Sequence, residues 1–94
     1  MAQFELMRGL DFGNGNVREY YASPRTYKSF DKAVDALLSI GKKTLLDLFQ
    51  KRMHVESERV CSKYYNDHCG YGFDGLVIKS EEGGELYYFI KPTE

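Results

Sequence analysis

The C-terminal segment restricts the folds open to this chain more than any other part of the sequence. Two apolar runs, Leu76–Lys79 and Glu85–Ile90, flank the turn sequence Glu81–Gly84, and this pattern predicts an antiparallel hairpin. A four-residue loop would pair Ile78 with Tyr87. The hairpin then has two apolar faces, one with Leu76, Ile78, Tyr87 and Phe89 and the other with Val77, Leu86 and Tyr88. Helices would cover only one of them, so we expect the other to bind a further surface.

The N-terminal segment is typical of a second hairpin. Apolar and polar side chains alternate along residues 4–12, as in a half-buried strand. Asn14-Gly15 is a strong two-residue turn signal because both central positions of such a turn need positive φ. A two-residue loop would pair Phe12 with Val17. We predict that the return strand covers Val17–Tyr21.

The middle of the chain has helical spacing. Apolar residues recur three and four positions apart over residues 30–49, and Ser29 is a plausible N-cap. Gly41 stands where a helix C-terminus favours glycine, and Thr44 is suited to open a second helix. We therefore predict two helices, with one bent helix through Gly41 as the alternative. Val60, Cys61 and Tyr64 fit a further short helix after Ser57 and Glu58, with a strand within residues 54–69 as the alternative.

Together these elements predict one α+β domain over residues 1–94. Its core is a four-stranded antiparallel sheet, made of two hairpins, with two or three helices packed on one face. A chain of 94 residues is of single-domain size. The N-terminus lacks the features of a signal peptide, and no apolar run is long enough to span a bilayer. We therefore expect a cytoplasmic protein with free thiols and no membrane partner.

Several chemistries are disfavoured by residue spacing. His54, Cys61, His68 and Cys69 equal a zinc ligand set in number, but they lack the paired short spacings of structural zinc motifs. The same residues offer a cysteine and a histidine, with no orienting third group at a recognisable spacing. We predict that the chain is not an enzyme and holds no metal and no cofactor.

The charge is balanced overall but uneven along the chain. The formal net charge is −1, which excludes a strongly basic nucleic-acid module. Residues 25–63 carry nine basic and five acidic side chains, whereas residues 64–94 carry two basic and six acidic ones. The predicted basic patch consists of Arg25, Lys28, Lys42, Lys43, Lys51 and Arg52. This basic helical layer is the basis of our alternative function, a binder of small ligands or single-stranded nucleic acid.

The eight tyrosines point to recognition instead. Adjacent residues of a strand face opposite sides, so the pairs Tyr20-Tyr21 and Tyr87-Tyr88 each place one ring outside the core. Exposed tyrosine is typical of binding surfaces. The predicted protein-binding residues are Tyr20, Tyr21, Tyr27, Val77, Leu86 and Tyr88.

These observations predict a small, non-enzymatic protein-binding module. In size and composition the chain looks like the short, motif-free α+β proteins with which phages and mobile elements inhibit host machinery. That resemblance implies an inhibitor that docks on a host macromolecule. The expected partner is another protein, nucleic acid is disfavoured, and a homodimer through the C-terminal hairpin is the other arrangement considered.

Overall fold

A computed structural model of the chain describes residues 3–11, 17–65 and 70–93. Within these ranges five strands form one antiparallel sheet in the order β2-β1-β5-β4-β3, and one helix packs on it. The elements are β1 (Gln3–Asp11), β2 (Val17–Tyr27), α1 (Phe30–Gln50), β3 (Val55–Val60), β4 (Gly75–Ser80) and β5 (Gly84–Thr93). The predicted α+β class with an antiparallel sheet is confirmed. The predicted four strands and two or three helices are wrong.

The first and last strands meet at the centre of the sheet. β1 pairs with β5 along its whole length, from Gln3 opposite Thr93 to Asp11 opposite Glu85. β2 and β3 are the two edge strands, and α1 connects them across one side of the sheet. No helix of the described residues is both long and apolar enough to cross a bilayer.

The helical region is one helix of 21 residues rather than two. Ser29 is its N-cap, as predicted, and the serine side chain accepts a hydrogen bond from the Lys32 N–H at 3.2 Å. The predicted break at Gly41 is wrong, since Gly41 is buried in the middle of α1. A Cβ at this position would overlap Leu76 Cδ2. Gly41 therefore lets α1 approach the sheet closely, and it does not end the helix.

The helix ends instead at a Schellman motif. The Met53 N–H bonds the carbonyl of Leu48 at 3.1 Å, and the Arg52 N–H bonds the carbonyl of Phe49 at 2.9 Å. Arg52 holds the left-handed position with φ of 58°. Glycine usually occupies that position, so its absence here concealed the helix end in the sequence.

The further short helix suggested by Val60, Cys61 and Tyr64 is not formed among the described residues, and Val55–Val60 is instead strand β3, the alternative for this part of the chain. β3 pairs along its full length with β4, from Val55 opposite Ser80 to Val60 opposite Gly75. Its four central residues are exposed. An edge strand with charged side chains on both faces has no apolar alternation, and this removed the usual strand signal.

The C-terminal hairpin is present, but its predicted register is shifted by one residue. Ser80 pairs with Gly84, which leaves a three-residue loop in which Gly83 has φ of 88°. Ile78 therefore lies opposite Leu86 and not opposite Tyr87. A shift of one residue transfers every side chain of one strand to the other face.

The N-terminal hairpin also differs from the prediction. Val17 pairs with Asp11 and not with Phe12, and the predicted turn at Asn14-Gly15 lies outside the described residues. β2 continues past Tyr21 to Tyr27, with an irregular register opposite Glu5–Met7. The edge position explains this extension, since an edge strand tolerates Pro24 and a bulge.

The main core lies between α1 and the sheet. From α1 it includes Ala33, Val34 and Leu37, all fully buried. The sheet and the segment before β4 contribute Leu6, Phe73, Leu76, Ile78, Tyr88 and Ile90. The side of the sheet opposite α1 has a different composition and is called the open face below.

Candidate functional site

The register of the sheet places one row of residues straight across the open face. Gly9 lies opposite both Glu19 and Tyr87, and Val77 lies opposite both Tyr87 and Glu58. Residues directly opposite each other on neighbouring strands project from the same side of a sheet. The row therefore has Tyr87 and Val77 at its centre and a glutamate at each edge strand.

Gly9 determines how Tyr87 lies on this face. A Cβ at Gly9 would overlap Cε2 and Cζ of the Tyr87 ring. The ring thus rests directly on the backbone of β1, an approach that only glycine permits. Tyr87 extends from β5 across β1 towards β2 and Glu19.

Three aromatic side chains form the centre of the open face. Tyr64 stacks on Phe89, with ring centroids 5.8 Å apart and an interplanar angle of 15°. The Tyr87 ring contacts the same Phe89 ring, with centroids 6.0 Å apart. Beside them lies a groove of about 250 Å³ whose lining includes Tyr64, Val77, Tyr87, Phe89, Glu19 and Lys63.

A buried carboxylate holds Tyr64 in place. Asp74, just before β4, is 1% exposed, and its two oxygens accept hydrogen bonds from the Ser62 N–H and the Ser62 hydroxyl, both at 2.6 Å. Ser62 in turn accepts a bond from the Tyr64 N–H at 3.1 Å. The segment after β3 is thereby fixed over Phe89, and the open face acquires one wall of its groove.

Cations and carboxylates both approach the aromatic cluster. The ammonium of Lys63 lies 5.0 Å from the centroid of Tyr64, and that of Lys91 lies 5.8 Å from it, within the range of cation–π attraction. The pKa of Lys63 is raised by its hydrogen bond with Tyr64 and then by the charge of Glu19. The pKa of Tyr87 is raised first by burial, then by Glu19 and Asp11, while Lys63 acts in the opposite direction.

The structure brings only part of the predicted binding set to this face. Tyr21 is 65% exposed and lies opposite Met7 on the open face. Val77 is half-buried and lines the groove. Tyr20 is exposed but projects from the helix side, opposite Arg8. Tyr27 is half-buried, and its hydroxyl donates to Ser23 Oγ at 3.1 Å.

Leu86 and Tyr88 project from the other side of the sheet. In the observed register of β4 and β5 both side chains lie on the helix side, where Leu86 packs against the core and Tyr88 is 2% exposed. The Tyr88 hydroxyl lies 2.9 Å from Thr44 Oγ1 of α1. Sequence reasoning therefore missed Tyr87, Phe89 and Tyr64. A three-residue loop over Glu81–Gly83, with Gly84 as the first residue of β5, was the signal that would have placed Tyr87 and Phe89 on the correct face.

The predicted basic patch is spread along the helix. Arg25 and Lys28 precede α1, Lys42 and Lys43 lie within it, and Lys51 and Arg52 follow its end. A helix of 21 residues is about 30 Å long. The six cations therefore do not meet in one groove, although Lys42 and Arg59 line a shallow one with Leu38 and Leu45.

The predicted zinc-like set is also divided. His54 precedes β3 and Cys61 follows it, so the six-residue strand separates them by about 20 Å. The Cys61 thiol donates to the Gly72 carbonyl at 3.3 Å. His68 and Cys69 lie outside the described residues. Among those described, no three His, Cys, Asp or Glu side chains form a metal-binding group.

The open face has to be interpreted from its own geometry and chemistry. Comparisons of the chain with protein-family models, with curated proteins and with solved structures find no match.

Proposed function

We propose that this chain is a small, non-enzymatic protein-binding module that docks on another protein through the open face. The observation that carries this proposal is the exposed aromatic surface of that face. The groove between Tyr64, Tyr87 and Val77 lies on the same side of the sheet as Tyr21, which is 65% exposed. Tyrosine offers a large contact area at low rotamer cost, and it is enriched among the residues that dominate binding energy.

The size of the open face fits such a role. Five strands spaced by about 4.8 Å make it about 20 Å wide, and the ten residues of β5 extend for about 30 Å. The resulting area of about 600 Å² approaches the roughly 800 Å² per partner that a standard protein interface buries. Docking on a host macromolecule, with inhibition by occlusion, is the activity that we propose for this surface.

The alternative function, ligand or single-stranded nucleic-acid binding by the basic helical layer, has weaker support. Such binding needs a continuous positive groove that follows the backbone of the ligand. The predicted basic residues are instead spread over about the length of α1. On the open face, Tyr87 lies near Glu19 and Asp11, whose charges repel phosphate.

The test first identifies the partner and then measures binding between the two purified proteins. The tagged chain captures its partner from the native extract, mass spectrometry identifies it, and calorimetry measures the affinity of the purified proteins. We expect Tyr21→Ser and Val77→Ser each to weaken binding by about tenfold, as for a residue worth more than 1 kcal/mol at an interface. Tyr88 is unsuitable for this test because it lies in the core.

The matched control is Leu46→Ser. Leu46 is 52% exposed on α1, so the substitution removes a similar apolar surface from the opposite side of the molecule. Binding of this variant should stay within about twofold of the wild type, as for a residue outside the interface. The docking face is wrong if Leu46→Ser abolishes binding while the two open-face variants keep it. Urea unfolding of each variant separates lost binding from lost structure.

A further inference from the structure

The open face carries an excess of carboxylates around Tyr87. Glu19 lies across Gly9 from Tyr87, and the next row of the sheet places Asp11 opposite Glu85. All three carboxylates raise the pKa of the Tyr87 hydroxyl, in addition to the larger effect of its burial. The Tyr87 ring therefore lies in a negative local field. A partner that covers it has to bring positive charge or leave these carboxylates uncompensated.

A cation of the chain already occupies the edge of this site. The ammonium of Lys63 lies 5.0 Å from the centroid of the Tyr64 ring, and Lys63 lines the groove together with Glu19 and Tyr87. Its side chain extends from an exposed residue of the segment after β3, so it can leave the groove without disturbing the core. The groove thus combines aromatic rings with carboxylates, an arrangement that attracts ammonium and guanidinium groups.

Lys79, a second lysine near Tyr87, forms an ion pair with Glu58 and not with Glu85. It pairs with Glu85 in the register, but its ammonium lies 4.0 Å from Glu58 Oε2. Both side chains of that ion pair are more than half exposed, and exposed pairs of this kind are weak. Glu19 and Glu85 are both exposed, so a partner that covers Tyr87 can reach their carboxylates.

We propose that the groove at Tyr87 binds a basic segment of the partner protein, in a mode that rests on the docking function proposed above. An arginine or lysine of that segment lies over the Tyr87 ring and pairs with Glu19 and Glu85, displacing Lys63. The aliphatic part of the same side chain packs against Val77. Arginine is preferred because its planar guanidinium both stacks on the ring and forms paired hydrogen bonds with carboxylates.

A fluorescein-labelled peptide of four Gly-Arg repeats provides the probe, with a peptide of four Gly-Glu repeats as the charge-reversed control. Fluorescence anisotropy measures the binding of each to the full chain at constant salt. We expect saturable binding of the Gly-Arg peptide and far weaker binding of the Gly-Glu peptide. Stronger binding of the Gly-Glu peptide, or no saturable binding of the Gly-Arg peptide, would overturn the proposal.

Matched charge variants show whether the binding belongs to this groove. Glu19→Gln with Glu85→Gln should weaken Gly-Arg binding about tenfold, the combined effect of two exposed ion pairs. Glu81→Gln with Glu82→Gln removes the same charge from the β4–β5 loop and should change binding less than about twofold. Equal losses in the two double variants would show general charge attraction and overturn the assignment.

Two single variants test the ring and the internal cation. Tyr87→Leu keeps an apolar side chain but removes the aromatic ring, and we expect a loss of about threefold. Lys63→Gln removes the competing cation and should strengthen binding about threefold. Unchanged binding in both variants would contradict a site over Tyr87.

The purified partner distinguishes this inference from the docking function itself. One result is weaker partner binding in Tyr21→Ser and Val77→Ser with unchanged binding in the double variant Glu19→Gln, Glu85→Gln. That result would support docking through the open face and overturn the proposal that a basic segment binds the groove. If the two open-face variants retain the partner, the docking face is wrong and the inference falls with it. Loss of partner binding in both sets supports the basic segment.

Discussion

The two sides of the sheet are built by different means. On the helix side, the most deeply buried apolar side chains are aliphatic, among them Leu6, Val34 and Leu37, and the rings of Phe73 and Tyr88 complete the same core. On the open face the contacts are aromatic and cationic, and the wall at Tyr64 is held by one buried aspartate, Asp74. The comparison indicates a division of labour. We expect aliphatic packing on one side to supply most of the stability, while the other side carries the tyrosines and charges that we propose for docking.

The largest expected effect tests whether stability resides mainly on the helix side. Leu37→Ala removes a fully buried side chain and should lower the free energy of unfolding by about 3 kcal/mol, since the cavity cannot collapse between a helix and a sheet. Val77→Ala on the open face removes a half-buried side chain and should cost about 1 kcal/mol. Urea denaturation measures both, and similar losses would contradict the division of labour.

The next effect concerns Asp74, the buried polar group that anchors Tyr64 on the open face. Asp74→Ala leaves the part-buried N–H of Ser62 without its acceptor and should cost about 2 to 3 kcal/mol, because hydrogen bonds to a charged group are the strong ones. Ser62→Ala removes both bonds of the serine hydroxyl, to Asp74 and from the Tyr64 N–H, but keeps the Ser62 N–H bond to Asp74, and it should cost about 1 to 2 kcal/mol. Hydrogen exchange should show faster exchange at Tyr64 in the aspartate variant. Unchanged protection there would mean that other contacts hold the segment.

The sequence predicted the helix side better than the open face, for physical reasons. The helical spacing and the Ser29 cap are local signals, and both appear in the structure. The register of β4 and β5 depends on a loop of three residues rather than four, and this difference reversed the face of Tyr87 relative to Val77. The hydrogen bond between Asp74 and Ser62 joins residues twelve positions apart, and no periodic pattern in the sequence indicates such a contact.

The C-terminal end of α1 offers a smaller test on the helix side. Arg52→Gly should raise the free energy of unfolding by about 1 kcal/mol, since a left-handed conformation costs roughly that much for a residue with a Cβ. Lys51→Gly is the matched control, because Lys51 has φ of −82° and gains nothing from glycine. Thermal and urea unfolding compare the pair. A loss of stability in Arg52→Gly would show that the arginine side chain matters more than its backbone.

The smallest expected effects compare two tyrosines in different surroundings. Burial raises the pKa of Tyr87 on the open face, and Glu19 and Asp11 raise it further. Burial also raises the pKa of Tyr71, which lies against Phe30 at the start of α1, with Asp31 and Asp35 adding to the effect. A raised pKa in the folded state means that the phenolate is disfavoured there. The associated stability is therefore fully present below about pH 10, the ordinary tyrosine value, and is lost as the pH rises through the folded-state value.

Charge-neutralising variants assign these shifts to the two regions. Glu19→Gln should lower the pKa of Tyr87 towards its ordinary value and leave Tyr71 unchanged, whereas Asp31→Asn should act on Tyr71 alone. Alkaline titration followed by tyrosinate absorbance measures the change, and Tyr87→Phe and Tyr71→Phe identify the contribution of each ring. Because burial is the larger cause at both tyrosines, neither charge variant should restore the full ordinary value. A shift at Tyr71 on neutralising Glu19 would mean that the fields of the two regions are not separate, and the negative field at Tyr87 would then not be specific to its groove.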